Sequence, residues 1–299
     1  MLDFKKQIDF PSYYKKFTLF SLILILASVL IFFIKGLNLG VDFKGGTLIE
    51  LRVTSSAIKI SDIRGSFLKM NLGDVSVQNF GKPGDYLVKI EQAGKNEKIV
   101  SIKKKLSSSL GNEVDFRRVE SVGPKVSKEL INSGIIAIIL SLSAMLFYIW
   151  IRFEWQFSIA AIAAIIHDVI ITVGIFSFLA YEVNLSIVAA VLTIVGYSMN
   201  DTVVIFDRIR ENLKKYSKIS IAEISNKSTN ETLSRTLITS VTTLLALFSI
   251  YIFGGAILKG FSFAMIVGVI VGTYSSIFVA TPILNYTNVN QKTVLKENS

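Results

Sequence analysis

The stretch that decides the fold is Leu185–Phe206, LSIVAAVLTIVGYSMNDTVVIF, an apolar run that contains the carboxylate Asp201. The run is long enough to cross a hydrocarbon layer of ~30 Å, and a charged segment, DRIRE at residues 207–211, follows it. An ionised aspartate deep in a membrane costs about 2.5–3.5 kcal/mol on insertion scales, so it normally faces a helix bundle or a wet cavity. Such residues handle protons or ions. The stretch therefore indicates transport in a membrane rather than soluble chemistry.

Five further apolar runs have the length that such a layer demands. The composition agrees, because 51% of the residues are hydrophobic and the mean hydropathy is +0.55. The sequence therefore predicts a polytopic α-helical membrane protein with six transmembrane helices. The predicted spans are Phe17–Ile34, Ile131–Ile151, Phe157–Tyr181, Leu185–Phe206, Thr236–Phe253 and Phe261–Leu284. The predicted division is a cytoplasmic N-terminus at 1–16, a first helix at 17–36, an extracytoplasmic domain at 37–130, a five-helix bundle at 131–284 with a basic cytoplasmic loop at 207–235, and a cytoplasmic tail at 285–299.

Basic residues in the short connections predict the orientation, since cytoplasmic loops carry an excess of Lys and Arg. Four lysines precede the first span, seven basic residues lie in the loop 207–235, and Lys292 and Lys296 follow the sixth span. Six crossings place these three segments on one side, so both termini are predicted to be cytoplasmic. The first span is interpreted as an uncleaved anchor rather than a signal peptide, because no Ala-x-Ala site follows its long apolar core.

The net charge of +10 is mostly a consequence of this topology. The basic residues are spread over both sides of the bilayer, and no basic helix carries interleaved base-stacking aromatic residues, which argues against nucleic-acid binding. The lipid bilayer is the predicted surrounding instead. Cysteine is absent, so the extracytoplasmic domain must be held together by packing without disulfides.

The extracytoplasmic domain shows strand and helix patterns in the order β-α-β-β-α-β. The predicted elements are Thr47–Val53, Ile60–Met70, Val75–Phe80, Tyr86–Glu91, Asn96–Leu110 and Val114–Glu120. This order predicts an α+β ferredoxin-like domain, a four-stranded antiparallel sheet with both helices on one face. Ser61 is the expected N-cap of the first helix, Gly111 the expected end of the second, and residues 81–84 the expected turn between the middle strands.

No catalytic pattern is present in this domain. It contains no metal-ligand cluster, nucleophile elbow or phosphate-binding loop, so we expect a docking module rather than an enzyme, and no cofactor. The pair Gly45-Gly46 precedes the first predicted strand. Two interpretations stay open for it: a turn before the strand, or a hinge that links the first span to the domain.

Small and polar residues within the spans are arranged on helix faces. Residues four apart lie on one side of a helix, and small residues let helices approach closely in lipid. The stripes are Ala160, Ala164, Asp168 and Thr172 in the third span, Ala189, Thr193, Gly196 and Asn200 in the fourth, Thr239, Thr243 and Ala246 in the fifth, and Gly260, Ala264, Gly268 and Gly272 in the sixth. The first span has almost no such stripe, so it is predicted to lie at the edge of the bundle.

Proton coupling is the function that these positions favour. Burial favours the neutral form of Asp201, whereas the nearby cation Arg235, at the start of the fifth span, would favour the charged form. Protons are the predicted coupling ion. A supporting polar network is expected from Asn200, His167, Asp168 and Thr239, with Asn200 hydrogen-bonded to Asp201.

For Arg235, His167 and Asp168 the alternative is a static structural role without proton transfer. Arg235 would be an anchor at the headgroups, or a permanent ion-pair partner of Asp201. His167 would merely hydrogen-bond a neighbouring helix, and Asp168 would be its fixed partner.

The residues also resemble a known family. The segment Tyr197–Asn212, YSMNDTVVIFDRIREN, is similar to the signature of the bacterial SecF family, the membrane subunits of the SecDF protein-export factor. Three further segments match that family: LGVDFKGGT at 39–47, VGPKV at 122–126 and SRTL at 234–237. The His167-Asp168 pair also suits the third span of the family. The resemblance covers essentially the whole chain.

The resemblance implies a function and a set of partners. SecF proteins belong to the resistance-nodulation-division superfamily of proton-driven transporters, in the bacterial cytoplasmic membrane. They work with SecD beside the SecYEG channel and its SecA motor, with YajC and YidC as further partners, on a translocating unfolded polypeptide. By residue match, Asp201 would be the proton-coupled carboxylate and Arg235 the essential membrane arginine.

Two rival functions make different predictions. A stand-alone proton-driven exporter of small molecules or lipids would generally have twelve spans and two large exported domains, whereas this chain has half of each. A non-transporting scaffold of the export channel would tolerate Asp201→Asn, which proton coupling would not.

Overall fold

A computed structural model describes residues 7–54, 58–91, 96–110, 114–216, 218–287 and 289–295. The chain divides into two compact units. The bundle comprises Met1–Leu37, Ile138–Tyr181 and Ser186–Ser299, and the α/β unit comprises Asn38–Ala137 and Glu182–Leu185. The last segment of the α/β unit is remote in sequence from the predicted extracytoplasmic domain, and its inclusion was not predicted.

Six helices in the described residues are long and apolar enough to cross a membrane, as predicted. They are α1 (Pro11–Lys35), α5 (Pro124–Arg152), α6 (Trp155–Phe178), α7 (Leu185–Lys215), α8 (Ile221–Phe253) and the segment Leu258–Tyr286, which begins within α9 (Gly255–Ser275). Polar residues extend two of these helices well past their apolar runs. The predicted loop 207–235 is therefore helical over 207–215 and 221–235. Ser220 caps α8, since its Oγ accepts the Glu223 N–H at 3.3 Å.

Small residues place α9 directly against α7. A Cβ atom on Gly268 would collide with the Ile194 side chain, and one on Gly272 would lie 2.9 Å from the Ser198 Cβ. The predicted stripe of small residues in the sixth span thus lies in a helix contact, as such stripes do in lipid, where close packing replaces the hydrophobic drive.

The first helix lies at the edge of the bundle unit, as predicted. Its Ser28 packs against α6 at Gly174, where any side chain would collide with it. On other faces of α1, Leu30 and Phe33 stay exposed. One packed face and one apolar exposed face are what a peripheral membrane helix requires.

A wide helical turn interrupts the sixth span. The π-helical segment Ser276–Ala280 follows α9, and α10 (Thr281–Tyr286) continues it. The Thr281 hydroxyl donates to the Ser276 carbonyl, five residues back, at 2.8 Å. The predicted single helix Phe261–Leu284 is thus three consecutive helical segments. The short helix α11 (Gln291–Leu295) lies near the end of the chain.

The α/β unit confirms the predicted element order. The elements are β2 (Gly46–Val53), α3 (Ile60–Leu68), β3 (Val75–Asn79), β4 (Asp85–Ile90), α4 (Asn96–Leu110) and β5 (Val114–Val122). The four strands form an antiparallel sheet with the spatial order β3-β4-β2-β5, and helices α3 and α4 pack into one shared core with it. Ile49, Phe67 and Leu106 are fully buried in that core.

Local details agree in part with the predictions. The turn 81–84 is confirmed, with positive φ angles at Gly81 and Gly84. The predicted N-cap Ser61 is wrong, because α3 begins at Ile60 and its N-cap is Lys59, two residues earlier. The Asp62 carboxylate reaches back to accept the Lys59 N–H at 2.9 Å. The predicted end at Gly111 lies outside the described residues.

The two consecutive glycines end a short helix, α2 (Val41–Lys44), and begin β2. Their φ angles are +79° at Gly45 and +123° at Gly46, values that L side chains rarely adopt. A Cβ atom on Gly46 would also lie 2.5 Å from the Ile90 carbonyl oxygen. The turn interpretation therefore explains both glycines, and the hinge interpretation stays a prediction.

A second, smaller sheet joins two distant parts of the α/β unit. Strand β1 (Asn38–Leu39) pairs in parallel with β6 (Glu182–Val183), which immediately precedes α7. This pairing was not predicted, because two-residue strands carry no periodic signal.

Candidate functional site

Two carboxylates lie inside the bundle on helices that follow one another in the chain. Asp168 on α6 is 1% exposed and Asp201 on α7 is 2% exposed. Both come from apolar helices, so neither has a polar helix face to keep it in water. Each must be satisfied by protein groups, or else lose its charge by binding a proton.

Asp168 is held by short hydrogen bonds from three directions. Its Oδ2 accepts the hydroxyls of Ser198 on α7 at 2.5 Å and of Ser275 on α9 at 2.8 Å. Its Oδ1 lies 2.8 Å from the His167 Nδ1. Asp168 is therefore a junction that ties α6 to two other helices.

His167 forms the pair with Asp168 that the sequence suggested and is equally buried. Its ring stacks on Tyr274, with 5.9 Å between ring centroids. The Tyr274 hydroxyl in turn donates to the Phe17 carbonyl oxygen at 2.8 Å and lies 2.7 Å from the Ser21 hydroxyl. The other imidazole nitrogen, Nε2, is buried without a hydrogen-bond partner in the described structure. The pair thus belongs to a polar chain that extends toward α1.

Asp201 is held much more loosely. The hydroxyls of Thr273 on α9 and Ser240 on α8 approach its Oδ2 at 3.3 and 3.5 Å. Hydroxyl-to-oxygen hydrogen bonds are usually 2.5–3.0 Å long, so both contacts are weak. Ser240 and Thr273 lie only 2.7 Å from each other. One turn on from Ser198, the Thr202 hydroxyl pairs with Ser276 at 2.9 Å.

Three predicted members are not joined to Asp201. Arg235 is exposed, and within the described part of the chain it has no ion pair. The expected hydrogen bond from Asn200 is not formed, since Asn200 is exposed on another face of α7. The Thr239 hydroxyl instead donates to the Thr236 carbonyl oxygen of its own helix at 2.9 Å.

The hydroxyl groups around both carboxylates were missed by sequence reasoning. They are Ser198, Ser240, Thr273 and Ser275. One signal was available: residues 273–276 read TYSS, four polar residues in succession within an apolar span. Serine and threonine are common in transmembrane helices as donors to their own backbone, which makes the signal weak.

The fourth-span stripe lies on the exposed side of the bundle unit. Ala189, Thr193, Gly196 and Asn200 are all exposed, and a Cβ atom on Gly196 would meet nothing within 4 Å. Membrane helices normally present such small and polar faces to other helices rather than to lipid. Among the described residues, the stripe is thus a small and polar helix face that no other helix covers.

Chemically, this arrangement suits a proton better than a metal ion. The described residues include no group of three or more His, Asp or Glu side chains that could hold a metal. What the site offers is a buried carboxylate with adaptable hydroxyl neighbours. A hydroxyl can donate to the carboxylate anion or accept from the neutral acid, so the same residues can serve both states.

Family models and curated proteins match this chain along most of its length. The model of the protein export membrane protein SecD/SecF C-terminal region matches residues 102–290, and the SecD/SecF GG motif matches residues 30–57. The chain is 45% identical to the protein translocase subunit SecF of Rickettsia rickettsii, over 95% of this chain and 93% of that protein. It is 43% identical to that of Cereibacter sphaeroides, over 91% and 87%.

Two solved structures of SecDF are also similar to this chain. The crystal structure of SecDF, a translocon-associated membrane protein from Thermus thermophilus, matches with a TM-score of 0.86 and 34% identity over 97% of this chain. SecDF in its super-membrane-facing form matches with a TM-score of 0.69 and 31% identity over 98% of the chain. In both cases the match spans 40% of the SecDF chain. With two family models, relatives above 40% identity and this fold in agreement, the chain belongs to the SecD/SecF family of protein-export membrane proteins.

Proposed function

We propose that this multi-pass membrane protein acts as the SecF half of a protein-export machine and uses the proton-motive force to promote late steps of polypeptide translocation. The observation that carries the proposal is the loosely held Asp201. It is buried in an apolar helix, yet both of its contacts are long. A carboxylate in that position loses little when it exchanges its charge for a proton.

The neighbouring hydroxyls support both protonation states. When Asp201 is charged, Ser240 and Thr273 donate to it. When it is neutral, they satisfy each other across their 2.7 Å contact. One charge that crosses the membrane field is worth about 2.3 kcal/mol per 100 mV, which biases a two-state equilibrium roughly 50-fold. That bias is sufficient to drive a conformational cycle.

Arg235 keeps its proposed role as the mobile cation. Its exposed position and lack of an ion pair mean that no static bridge has to be broken before it approaches Asp201. A guanidinium that comes and goes would switch the carboxylate between its charged and neutral forms. We keep Asn200, Thr239 and the His167-Asp168 pair as proposed members of the polar network that supports proton transfer at Asp201.

A SecD-type half is the proposed partner of the exposed α7 stripe. The matched SecDF chains are about two and a half times the length of this match, so they contain material for a second half. By the family resemblance we further propose SecYEG with SecA, and YajC and YidC, as partners in the bacterial cytoplasmic membrane, with both termini cytoplasmic and no cofactor beyond the proton.

Reconstitution tests the proposal directly. The chain and a SecD-type half are placed in proteoliposomes, and proton flux is measured with and without an unfolded polypeptide. Asp201→Asn is expected to reduce the flux at least about tenfold, because an amide cannot carry the proton. The matched control is Asp207→Asn, which alters an exposed, ion-paired carboxylate of the same helix.

The outcome also separates the rival functions. Wild-type flux in Asp201→Asn would favour a passive scaffold. Flux that responds to a small amphiphile but not to polypeptide would favour an exporter.

A further inference from the structure

The segment before the GG pair and the connection between α6 and α7 form one structural element of the α/β unit. Strand β1 pairs with β6, and the Gly40 N–H continues the ladder by donating to the Val183 carbonyl oxygen at 2.8 Å. Gly40 has no room for a side chain, since a Cβ atom there would lie 2.7 Å from the Glu182 Oε1. We call this element the clasp: residues 38–42 together with residues 182–185.

One side-chain contact links the two segments of the clasp, and a second links the clasp to the four-stranded sheet. The Asp42 carboxylate accepts the backbone N–H of Leu185 at 2.9 Å. Glu182 forms an ion pair with Lys89 of β4, and the two side chains are only 24% and 19% exposed. The sheet and the clasp are thereby joined within the same unit.

The Asp42 contact has a specific physical meaning because Leu185 is the first residue of α7. The first N–H groups of a helix have no partner in the helix itself, and a carboxylate that accepts one of them also interacts favourably with the helix dipole. Asp42 therefore caps one of the first N–H groups of α7, from a segment more than 140 residues away in sequence.

Helix α7 is unbroken from Leu185 to Lys215, and Asp201 lies 16 residues along it. At 1.5 Å per residue, the cap and the carboxylate are about 24 Å apart on one rigid element. Rigid helices are among the elements that carry energetic coupling between distant sites in a protein.

We propose that Asp42 and the Lys89–Glu182 pair are positioning residues that couple the α/β unit to the proton site. They hold Leu185, the first residue of α7, within the clasp, and Asp201 lies further along the same helix. In this proposal a polypeptide that acts on the clasp moves α7 and thereby alters the contacts of Asp201 with Ser240 and Thr273. The coupling rests on the proposed proton function of Asp201. It adds the residues through which the α/β unit would reach that site.

The experiment uses the full chain with its SecD-type half in proteoliposomes. The readout is the ratio of proton flux with an unfolded polypeptide to flux without it. Asp42→Ala is expected to lower this ratio about fivefold, the factor that corresponds to the loss of one cap. Asp42→Asn, whose amide oxygen can still accept the Leu185 N–H, is expected to retain most of the ratio.

Two further arms exclude simple damage to the fold. Lys89→Glu and Glu182→Lys should each lower the ratio, and the double variant should restore it, which misfolding would not do. Hydrogen exchange at residues 183–188 should become about fivefold faster in Asp42→Ala. Asp74→Ala is the control, an exposed carboxylate of the same unit whose side chain makes no hydrogen bond or ion pair with the described residues.

The outcomes are distinguishable. If Asp201→Asn leaves proton flux unchanged, the proposed function fails, and the coupling fails with it. If Asp201→Asn abolishes flux while Asp42→Ala and both single charge reversals keep the wild-type ratio, only the coupling is overturned.

Discussion

Asp168 and Asp201 have similar burial but very different surroundings. Asp168 receives three hydrogen bonds of 2.5–2.8 Å, including one that involves His167. Asp201 receives two of 3.3 and 3.5 Å, both on the same oxygen. Burial alone therefore does not distinguish a structural carboxylate from one suited to exchange protons.

The number and length of the donors make that distinction. The three close donors of Asp168 tie α6 to α7 and α9, so replacing that side chain breaks several short hydrogen bonds. The two contacts of Asp201 are longer and weaker. This difference is the basis for proposing Asp201, rather than Asp168, as the residue that exchanges a proton.

The largest effect that we expect is a loss of stability when Asp168 is replaced, which tests the difference between the two aspartates. Asp168→Ala leaves the Ser198 and Ser275 hydroxyls and the His167 ring without their acceptor. At about 0.6–1.7 kcal/mol for each interhelical bond, we expect a loss of roughly 2–4 kcal/mol in the free energy of unfolding. Thermal or SDS-induced unfolding in detergent measures it.

Asp201→Asn serves as the counterpart, with a change expected below about 1 kcal/mol because its donors are distant. Equal losses in the two variants would contradict the division of roles.

The next effect concerns the cation. Arg235→Lys is expected to lower proton-dependent export about tenfold, since an ammonium group does not reproduce the planar fork of a guanidinium. Export into inverted membrane vesicles, measured with and without a proton gradient, tests this. Lys227→Arg, on the same helix, is the matched control, and full activity of Arg235→Lys would reduce Arg235 to a headgroup anchor.

A smaller loss of stability is expected when single hydroxyl donors to the two aspartates are removed. Ser275→Ala removes a 2.8 Å bond to Asp168 and is expected to cost about 1 kcal/mol of stability. Thr273→Val removes a 3.3 Å contact with Asp201 and should cost less than about half of that. The same unfolding assay ranks the two, and the reverse order would show that the donor lengths do not determine the energetics.

The smallest effect uses a third aspartate, outside the spans. The Arg52 guanidinium donates to Asp85 at 2.5 and 2.7 Å and holds the pKa of that carboxyl below its usual value, while partial burial opposes the shift. A lowered folded-state pKa means that the stabilisation is fully present above the unfolded-state value of about 4 and is lost as the pH falls below it.

Hydrogen exchange in β2 and β4 of the full chain, corrected for the intrinsic rate, should therefore accelerate between pH 5 and pH 3. Asp85→Asn should show no such step. An identical step in that variant would assign the pH effect to other groups.

The sequence determines how deep a residue lies in a span far better than which way it faces. Length and hydropathy located six spans, and alternating patterns located the ferredoxin-like sheet, because both depend on composition along the chain. The interior position of Asp168 and Asp201 followed from the cost of charge in lipid. The direction of Asn200 did not, because successive helix residues point about 100° apart and the sequence does not show which of them face inward.

Two other features escaped prediction for a different reason. The stripe through Gly196 was expected to be a helix contact, but among the described residues it is exposed, and a Cβ atom on Gly196 would meet nothing within 4 Å. Small residues indicate a packing face without saying which helix covers it. The charged helix extensions, such as residues 207–215, are too polar to be recognised as part of a span, although Ile209 and Leu213 pack them into the core.

The wide turn at Ser276–Ala280 has a mechanical consequence for the site. Each residue in a helix accounts for about 100° of rotation, and a wide turn holds one residue more than the helix around it. If that surplus residue moved one place toward Ser275, the serine would swing off Asp168 while both ends of the span kept their depth. A shift of the wide turn would thus release the contact between Ser275 and Asp168 by a local rotation of the helix, without sliding of the sixth span in the bilayer.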